Sequence, residues 1–375
     1  MSFGESLFKH ADCELSVASD EYSIMRSRFF KTKYHMLESG MADTVDKILA
    51  AEHHDVIVPM GDVSASFLSK NKKSIEQRFG VHCAVPEYSC LSLVEDKSRF
   101  MDFCEKHGVP HPKTVRLSAD TLAAAARQTG FPALIKPDFS VGAKGITRVD
   151  SIEELEGRFP QVSAAHGDCS LQEFIDNPDY YFNVMLYRDG TGSMKNYAIT
   201  KIVRMYPVKA GSSSCCHTIE NGELLDICRN VLDKLNWVGM ADFDVLQRPD
   251  TGEYKIIEIN PRVPASLRAA YISGVNFPEL IVRDVMGNPP GSYMYRPGMT
   301  LRYLGIDLMW LAKSPKRLRK LFSWLNFFGR NVYYQDIILS DPSTWYSWLV
   351  EGLTKIKKRN KAVSPKKRVD LIYNR

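Results

Sequence analysis

Glu258, Asn260 and Arg262 hold alternate positions in the run Ile257-Glu258-Ile259-Asn260-Pro261-Arg262. Alternate residues of a strand share a face, so Glu258 and Asn260 point one way and Ile257 and Ile259 the other, toward a core. Asp242 and Asp244 repeat this pattern one strand earlier, and the intervening Pro249-Asp250-Thr251-Gly252 predicts a hairpin. Antiparallel pairing brings Asp244 beside Glu258, with Asp242 as its rival. Two carboxylates and an amide oxygen at one place form a hard-oxygen site suited to Mg²⁺ (or Mn²⁺) with bound phosphates. Arg262 has the reach and the fork geometry for a phosphate oxygen. The competing possibility is a half-exposed hairpin with solvated acids.

A second basic element lies upstream. Lys136 ends the apolar run Phe131-Pro132-Ala133-Leu134-Ile135, and Gly142 and Gly145 follow six and nine residues later in the turn Ser140-Val141-Gly142-Ala143-Lys144-Gly145. Glycines let backbone N–H groups approach phosphates and the lysine adds a point charge. The spacing is neither a P-loop nor a dinucleotide fingerprint. Leu171-Gln172-Glu173-Phe174-Ile175 is an apolar strand end that can read adenine through backbone groups while aliphatic side chains sandwich the ring. No Ser/His/Asp or Cys/His set suggests covalent catalysis. The eight cysteines include no C-x-x-C pair. Cys215-Cys216-His217 is their one cluster, and adjacent cysteines project apart, so reduced buried or loop thiols of a cytoplasmic protein are expected.

The elements that must position these groups alternate between α and β. Leu15–Ala18 and Asp55–Pro59 predict short strands, the latter a buried parallel one. Thr44–Ala51, Val63–Leu68 and Lys72–Phe79 predict helices, and the first strand usual in such a layer is missing. A helix opens at Asp96-Lys97 and runs to about His107, where Gly108 and Pro110-His111-Pro112 break it. Residues 121–129 predict a helix, and Tyr181–Tyr187 and Ser193–Arg204 predict strands about the turn Asp189-Gly190-Thr191-Gly192. Leu224–Leu235 carries an apolar stripe at 224, 225, 228, 231, 232 and 235, and Phe277–Met286 predicts a further helix. No apolar run is long enough to span a bilayer, and the opening residues lack the basic-then-apolar pattern of a signal peptide.

In order and spacing these pieces resemble the ATP-grasp superfamily across roughly residues 55–290. Asp96-Lys97, Lys136-Pro137 before Gly142 and Gly145, Gln172-Glu173-Phe174-Ile175 and Glu258-Ile259-Asn260-Pro261-Arg262 carry the resemblance. Arg204-Met205-Tyr206-Pro207, Gly211-Ser212-Ser213 and Gly239-Met240-Ala241 look like its carbamoyl-phosphate-synthase-like branch of carboxylate–amine ligases. The resemblance implies an α/β (α+β) ATP-grasp fold. Residues 1–95 would form an N-terminal α/β pre-ATP-grasp domain. Residues 96–290 would form the ATP-grasp domain, with a small lid subdomain at about 113–175. Residues 291–375 would be a basic helical C-terminal extension.

It also implies roles. Lys97 and Lys136 would contact ATP phosphates beneath a mobile loop that includes Ser140, Gly142, Lys144 and Gly145. Glu173, Phe174 and Ile175 would hold adenine and Asp179 the ribose. Asp244, Glu258 and Asn260 would bind Mg²⁺, while Arg262, helped by Arg204, would stabilise an acyl phosphate. Asp179 and Asp244 are each shorter than the Glu usual at their places. The implied reaction joins a carboxylate to an amine or other nitrogen nucleophile through an acyl phosphate, releasing ADP and phosphate. Its rivals are an ATP-grasp kinase or carboxylase-type reaction and a non-catalytic nucleotide-binding scaffold.

The net charge of +5 is uneven: residues 291–375 carry +12 and the rest −7. That segment holds Trp310, Trp324, Trp345 and Trp348. Leu318, Leu321, Phe322, Leu325 and Phe328 fall at helical spacing beside Lys316, Arg317, Arg319 and Lys320, and a second stripe runs through Trp345, Trp348, Leu349, Leu353 and Ile356. Such basic, Trp-rich stripes either pack on the core or meet an anionic membrane surface, which would suit a lipid-linked substrate and peripheral contact at the inner membrane face. Nucleic acid is not an expected partner; self-association into a homo-oligomer is open.

Overall fold

The computed structural model describes residues 2–10, 13–140, 144–177, 179–208 and 211–347. Its largest sheet has seven strands in the order Tyr254–Asn260, Gly239–Gln247, Tyr181–Arg188, Met194–Tyr206, Ser212–Ile219, Thr300–Arg302, Val332–Tyr334. All neighbours are antiparallel except the last pair. Both faces of its centre are covered. Phe182, Val184, Leu186, Phe243, Val245, Ile256 and Ile259 pack under the helices Gly222–Leu235 and Lys97–Lys106. Met185, Tyr187, Ala198 and Met240 pack on the other face against Leu267, Ala270, Phe277 and Leu280. Strands covered twice read as nearly continuous apolar runs, so a polar residue inside them stands out.

Helix Gly222–Leu235 forms because Asn221 accepts from the Leu224 N–H at 2.9 Å and every residue of its predicted stripe is buried. Asn236 ends it in a left-handed turn, φ 49°. Truncating a stripe residue such as Leu232 to alanine would cost about 2–5 kcal/mol.

A second, four-stranded antiparallel sheet has the order Thr114–Arg116, Cys169–Glu173, Ala133–Pro137, Thr147–Val149. Ala133 and Ile135 face a core made with Leu155 and Phe159 of helix Ile152–His166. Leu134 and Lys136 therefore face the opposite way, and Lys136 meets the seven-stranded sheet. The residues before Asp96 include two short parallel pairs, Ser16–Ser19 with Thr32–His35 and Val56–Ile57 with His82–Cys83. The second is joined by the long helix Asp62–Phe79, which closes at Gly80 with φ +68°.

Several expectations change. Val56 and Ile57 are half-buried, although the pairing is parallel as predicted. The two helices expected between Val63 and Phe79 are one, because no breaker separates them. Helix Ile152–His166, with Ser151 capping Glu154, and strand Ser212–Ile219 were not foreseen. Cys215 and Cys216 lie on that strand, buried on opposite faces.

The C-terminal segment is not simply helical. It adds two strands to the large sheet and the helix Leu304–Lys313. Within the stripe Leu318–Phe328 only Leu321–Trp324 is helical. Trp324 is the anchor: its indole donates to the Asp307 carbonyl at 3.3 Å and meets Phe327 edge-on at 4.9 Å. The chain then turns to feed strand Val332–Tyr334, which a longer helix would overrun. Trp310 and Trp324 are buried, whereas Leu318, Phe322, Leu325, Phe328 and Trp345 are exposed. Trp348 and the rest of the second stripe lie outside the described residues. Among the described residues no helix is long and apolar enough to cross a membrane.

Candidate active site

The hairpin forms with the predicted register: Asp242 opposite Asn260, Phe243 opposite Ile259, Asp244 opposite Glu258. Phe243 and Ile259 enter the core, but a bulge between Asp244 and Val245 puts Ile256 there in place of the expected Ile257, which is half-buried. Asp242, Asp244, Glu258 and Asn260 therefore form a two-by-two polar patch on the other face. The next strand sets Asn183 opposite Asp244, and its amide donates to Asp244 Oδ1. Asn260 Nδ2 reaches Asp244 Oδ2 at 3.4 Å.

The acids are unequal. Burial, then Glu258 and Asp242, push the Asp244 carboxyl well above the usual range. Burial also opposes ionisation of Glu258, but the hydrogen bond from Asp244 together with Lys136, Lys97 and Arg262 outweighs it and holds Glu258 low. Burial raises Asp242 to about 7, with Arg262 opposing and Glu258 and Asp62 reinforcing. Asp242 is 4 % exposed, and its Oδ1 has no hydrogen-bond partner. An orphaned oxygen among crowded acids fits a cation-binding site. Among the described residues no three His, Cys, Asp or Glu side chains could cage an ion. The donors fit Mg²⁺, which commonly takes one or two carboxylates and completes its shell with phosphates and water.

Lys136 faces this patch from the four-stranded sheet. It donates to Gln172 Oε1 at 3.0 Å and is buried. Burial lowers it to about 8, with Lys97 reinforcing and Glu258 and Asp244 opposing. Lys97, in the first turn of its helix, donates to the Ser140 carbonyl at 2.7 Å, and its own N–H bonds the Asp138 carbonyl at 3.1 Å. Lys97 is thus held at the start of the glycine turn, and Lys136 on the neighbouring strand by Gln172. Gly142 lies outside the described residues. Gly145 has φ +78°, and a Cβ there would strike His166 and Pro137. Lys144 is exposed.

Glu173, Phe174 and Ile175 lead from the four-stranded sheet toward the seven-stranded one. Glu173 pairs with Arg248, Phe174 lies under Arg148 at 4.6 Å and Ile175 is buried. Asp179 is engaged by Lys316 at 2.6 Å, so a ribose contact competes with that bridge. Arg262 Nε binds Asp62 Oδ1 at 2.8 Å, which brings the helix Asp62–Phe79 into the site.

Arg204 is not brought to this cluster. A register slip after Ile202 turns it to the opposite face, beside Cys215, where it pairs with Asp307 at 2.7 Å. Its expected help with an acyl phosphate is corrected accordingly. Arg268 binds Glu5 and so docks the N-terminal helix Ser2–His10. Sequence reasoning missed Asn183 and Asp62, and quoted Gln172 in the adenine motif without a role for its side chain. Asn183 had a signal, as the one amide inside the apolar strand Tyr181–Arg188. The partners of Lys136 and Arg262 are set by tertiary contact.

A family model described as the carbamoyl-phosphate synthase L chain, ATP binding domain, matches residues 96–283. A D-aspartate ligase of Enterococcus faecium is 24 % identical over 279 residues, 70 % of this chain and 64 % of that one. A carbamoyl phosphate synthase large chain of Methanothermobacter thermautotrophicus is 24 % identical over 234 residues, 60 % of this chain and 22 % of that one. This chain therefore spans less than two thirds of either relative. The biotin carboxylase domain of Hydrogenobacter thermophilus 2-oxoglutarate carboxylase, solved with MgADP, ADP and bicarbonate, superposes with TM-score 0.67 at 16 % identity, covering 80 % of this chain and 70 % of that one.

Proposed function

This chain belongs to the family of the carbamoyl-phosphate synthase L chain ATP-binding domain, and from that premise we propose that it is an ATP-dependent ligase joining a carboxylate to a nitrogen nucleophile. The observation that carries the proposal is Lys136 facing Glu258 and Asp244 across the gap between two sheets. Cations on one sheet and acids on the other suit a metal-bound polyphosphate between them.

Asp244, Glu258 and Asn260 would hold Mg²⁺, or Mn²⁺ in its place, and Asp242 is close enough to adjust their charge. The ion would neutralise phosphate charge. Lys97 and Lys136 bind phosphate oxygens, and the Ser140–Gly145 turn covers them and excludes water. Glu173, Phe174 and Ile175 hold adenine, and Asp179 takes the ribose once Lys316 releases it. A substrate carboxylate attacks the γ-phosphate to give an acyl phosphate and ADP. Arg262 leaves Asp62 to stabilise the charge that develops. The nitrogen nucleophile then displaces phosphate. A cavity of about 580 Å³ lined by Lys72, Glu87, Tyr187, Arg262 and Asp284 is a fitting entry for the substrates.

The protein acts in the cytoplasm, and the exposed Leu318, Phe322, Leu325 and Phe328 beside basic residues support contact with an anionic membrane surface and a lipid-linked substrate. ADP release across a panel of carboxylates and amines tests the reaction. Release that requires both substrates supports the ligase. Release without a nitrogen nucleophile means a kinase, and ATP binding without turnover means a scaffold.

A further inference from the structure

The face of the large sheet opposite Asp244 carries a second charged cavity. Between Met194–Tyr206 and Ser212–Ile219 the register slips at Ile202/Arg204 and again at Arg204/Met205. Ile202 and Met205 stay with Cys216, Ala269 and Leu301 on the acid-bearing face. Arg204 pairs with Cys215 on the other face, and Arg302 pairs with Cys215 from the far side. A bulge re-aims a side chain in this way.

Arg204 and Arg302 are 3 % and 1 % exposed and share one fully buried carboxylate. Arg204 Nε lies 2.7 Å from Asp307 Oδ1, and Arg302 Nη2 lies 2.7 Å from Asp307 Oδ2. Arg319 and Lys320 complete the cavity of about 300 Å³ with Ser323 and Asn326. Four cations thus meet one buried anion, Asp307, and a second at the rim, Asp179, which bridges Lys320 at 3.9 Å and Lys316 at 2.6 Å. Burial, Arg204 and Lys201 lower the lining His217. Burial, with Lys316, Arg204 and Arg319 and against Asp179, also lowers Lys320. Concentrated positive charge away from water is costly unless an anion joins it.

We propose that this cavity binds a phosphomonoester dianion, gripped by Arg319 and Lys320 over the charge of Arg204 and Arg302, whose forks are engaged by Asp307. The Arg319 fork can match phosphate oxygens in pairs, and a dianion offsets more of the excess than a carboxylate does. The segment that supplies Arg319, Lys320, Ser323 and Asn326 also exposes Phe322 (89 %) and Phe328 (100 %). The phosphomonoester therefore belongs either to a soluble metabolite or to a lipid headgroup whose chains those rings meet. The acids of the metal site lie on the other face of the sheet, while Asp179, the proposed ribose contact, reaches Lys320 at 3.9 Å, so the phosphomonoester site adjoins the ribose end of the nucleotide and is distinct from its phosphates.

The test uses the full chain saturated with Mg²⁺ and a nonhydrolysable ATP analogue, so that phosphate probes are kept from the nucleotide site. Glycerol 3-phosphate and inorganic phosphate should bind by calorimetry and raise Tm, and acetate should bind at least tenfold more weakly. Arg319→Ala/Lys320→Ala, on a surface segment, should weaken glycerol 3-phosphate by about 10- to 100-fold, and Arg319→Glu should do the same if the double variant is unstable. Equal affinity in wild type and a folded variant overturns the site. Acetate binding as tight as phosphate overturns the dianion. Sedimentation with phosphatidic acid vesicles but not phosphatidylcholine vesicles, reversed by glycerol 3-phosphate, assigns a lipid headgroup. Glycerol 3-phosphate binding without vesicle sedimentation assigns a soluble ligand.

Discussion

Asp244 and Glu258 stand opposite each other on one antiparallel rung and are pushed apart in pKa, with the Asp244 carboxyl raised by burial and by Glu258 and the Glu258 carboxyl lowered by the Asp244 hydrogen bond, Lys136, Lys97 and Arg262 against burial. Two buried acids this close do not both ionise without a cation. Glu258→Gln removes the lowered member, and ADP release should fall by about 10²–10³-fold while circular dichroism stays unchanged. Asp244→Asn removes the raised member. It should raise the Mg²⁺ concentration needed for half-maximal rate by about tenfold and leave the melting temperature of the metal-free protein unchanged or higher. Wild-type turnover in Glu258→Gln would remove the metal site from this hairpin.

Asp242 gives that site a pH signature. Its carboxyl is raised to about 7, from a usual value of 3.8. Between about pH 5 and 7 the folded protein keeps a proton that the unfolded chain has lost. This contribution to stability is therefore complete below the unfolded value and is lost as pH rises through 7. Mg²⁺ competes with the same proton, so its affinity rises over that interval and levels above it. Thermal melts from pH 5 to 8, with and without Mg-ADP, should show opposite trends. Asp242→Asn should flatten both relative to wild type, and an unchanged difference between the two proteins would refute the assignment.

Lys136 should set an alkaline limit on ATP binding. Burial lowers it to about 8, so the nucleotide-free protein loses this cation as pH passes that value. The KM for ATP should rise above pH 8 while kcat changes less, because bound phosphates restore the proton. Lys136→Ala should raise the KM for ATP and lower kcat/KM by about 10²–10³-fold, with no further rise above pH 8. A pH profile identical in both proteins would place phosphate recognition elsewhere.

How far these groups could be read in the sequence depended on the range of the interaction. The 242/244 and 258/260 pairs were legible because strand periodicity and hairpin register are local, although a bulge between Asp244 and Val245 breaks the alternation and puts Ile256 in the core in place of the expected Ile257. Lys136 was legible for the same reason, at the end of an apolar run. Arg204 was not. Simple alternation puts it on the face of Ile202, and a bulge that nothing in Ile202-Val203-Arg204 announces turns it over. Its partner Asp307 lies far along the chain. The Leu318–Phe328 stripe had helical spacing but no surface to bury against, and periodicity fixes a helix only when packing rewards it. Trp324 found such a surface and its neighbours did not.

Arg262 and Asp62 supply the last prediction. Their 2.8 Å contact joins the first turn of helix Asp62–Phe79 to the residue expected to stabilise the transferred phosphoryl group. If Asp62 parks Arg262 between turnovers, Arg262→Lys should lower kcat by about 10²-fold, because an ammonium lacks the two-pronged geometry. Asp62→Asn should leave kcat within about threefold, since it removes only a partly exposed ion pair. Asp62 also raises Asp242 through its charge. Asp62→Asn should therefore shift the acid limb of the Mg²⁺ affinity profile to lower pH, which a purely structural contact would not do. A loss of kcat in Asp62→Asn as large as in Arg262→Lys would mean that Asp62 positions the arginine for catalysis and does not merely store it.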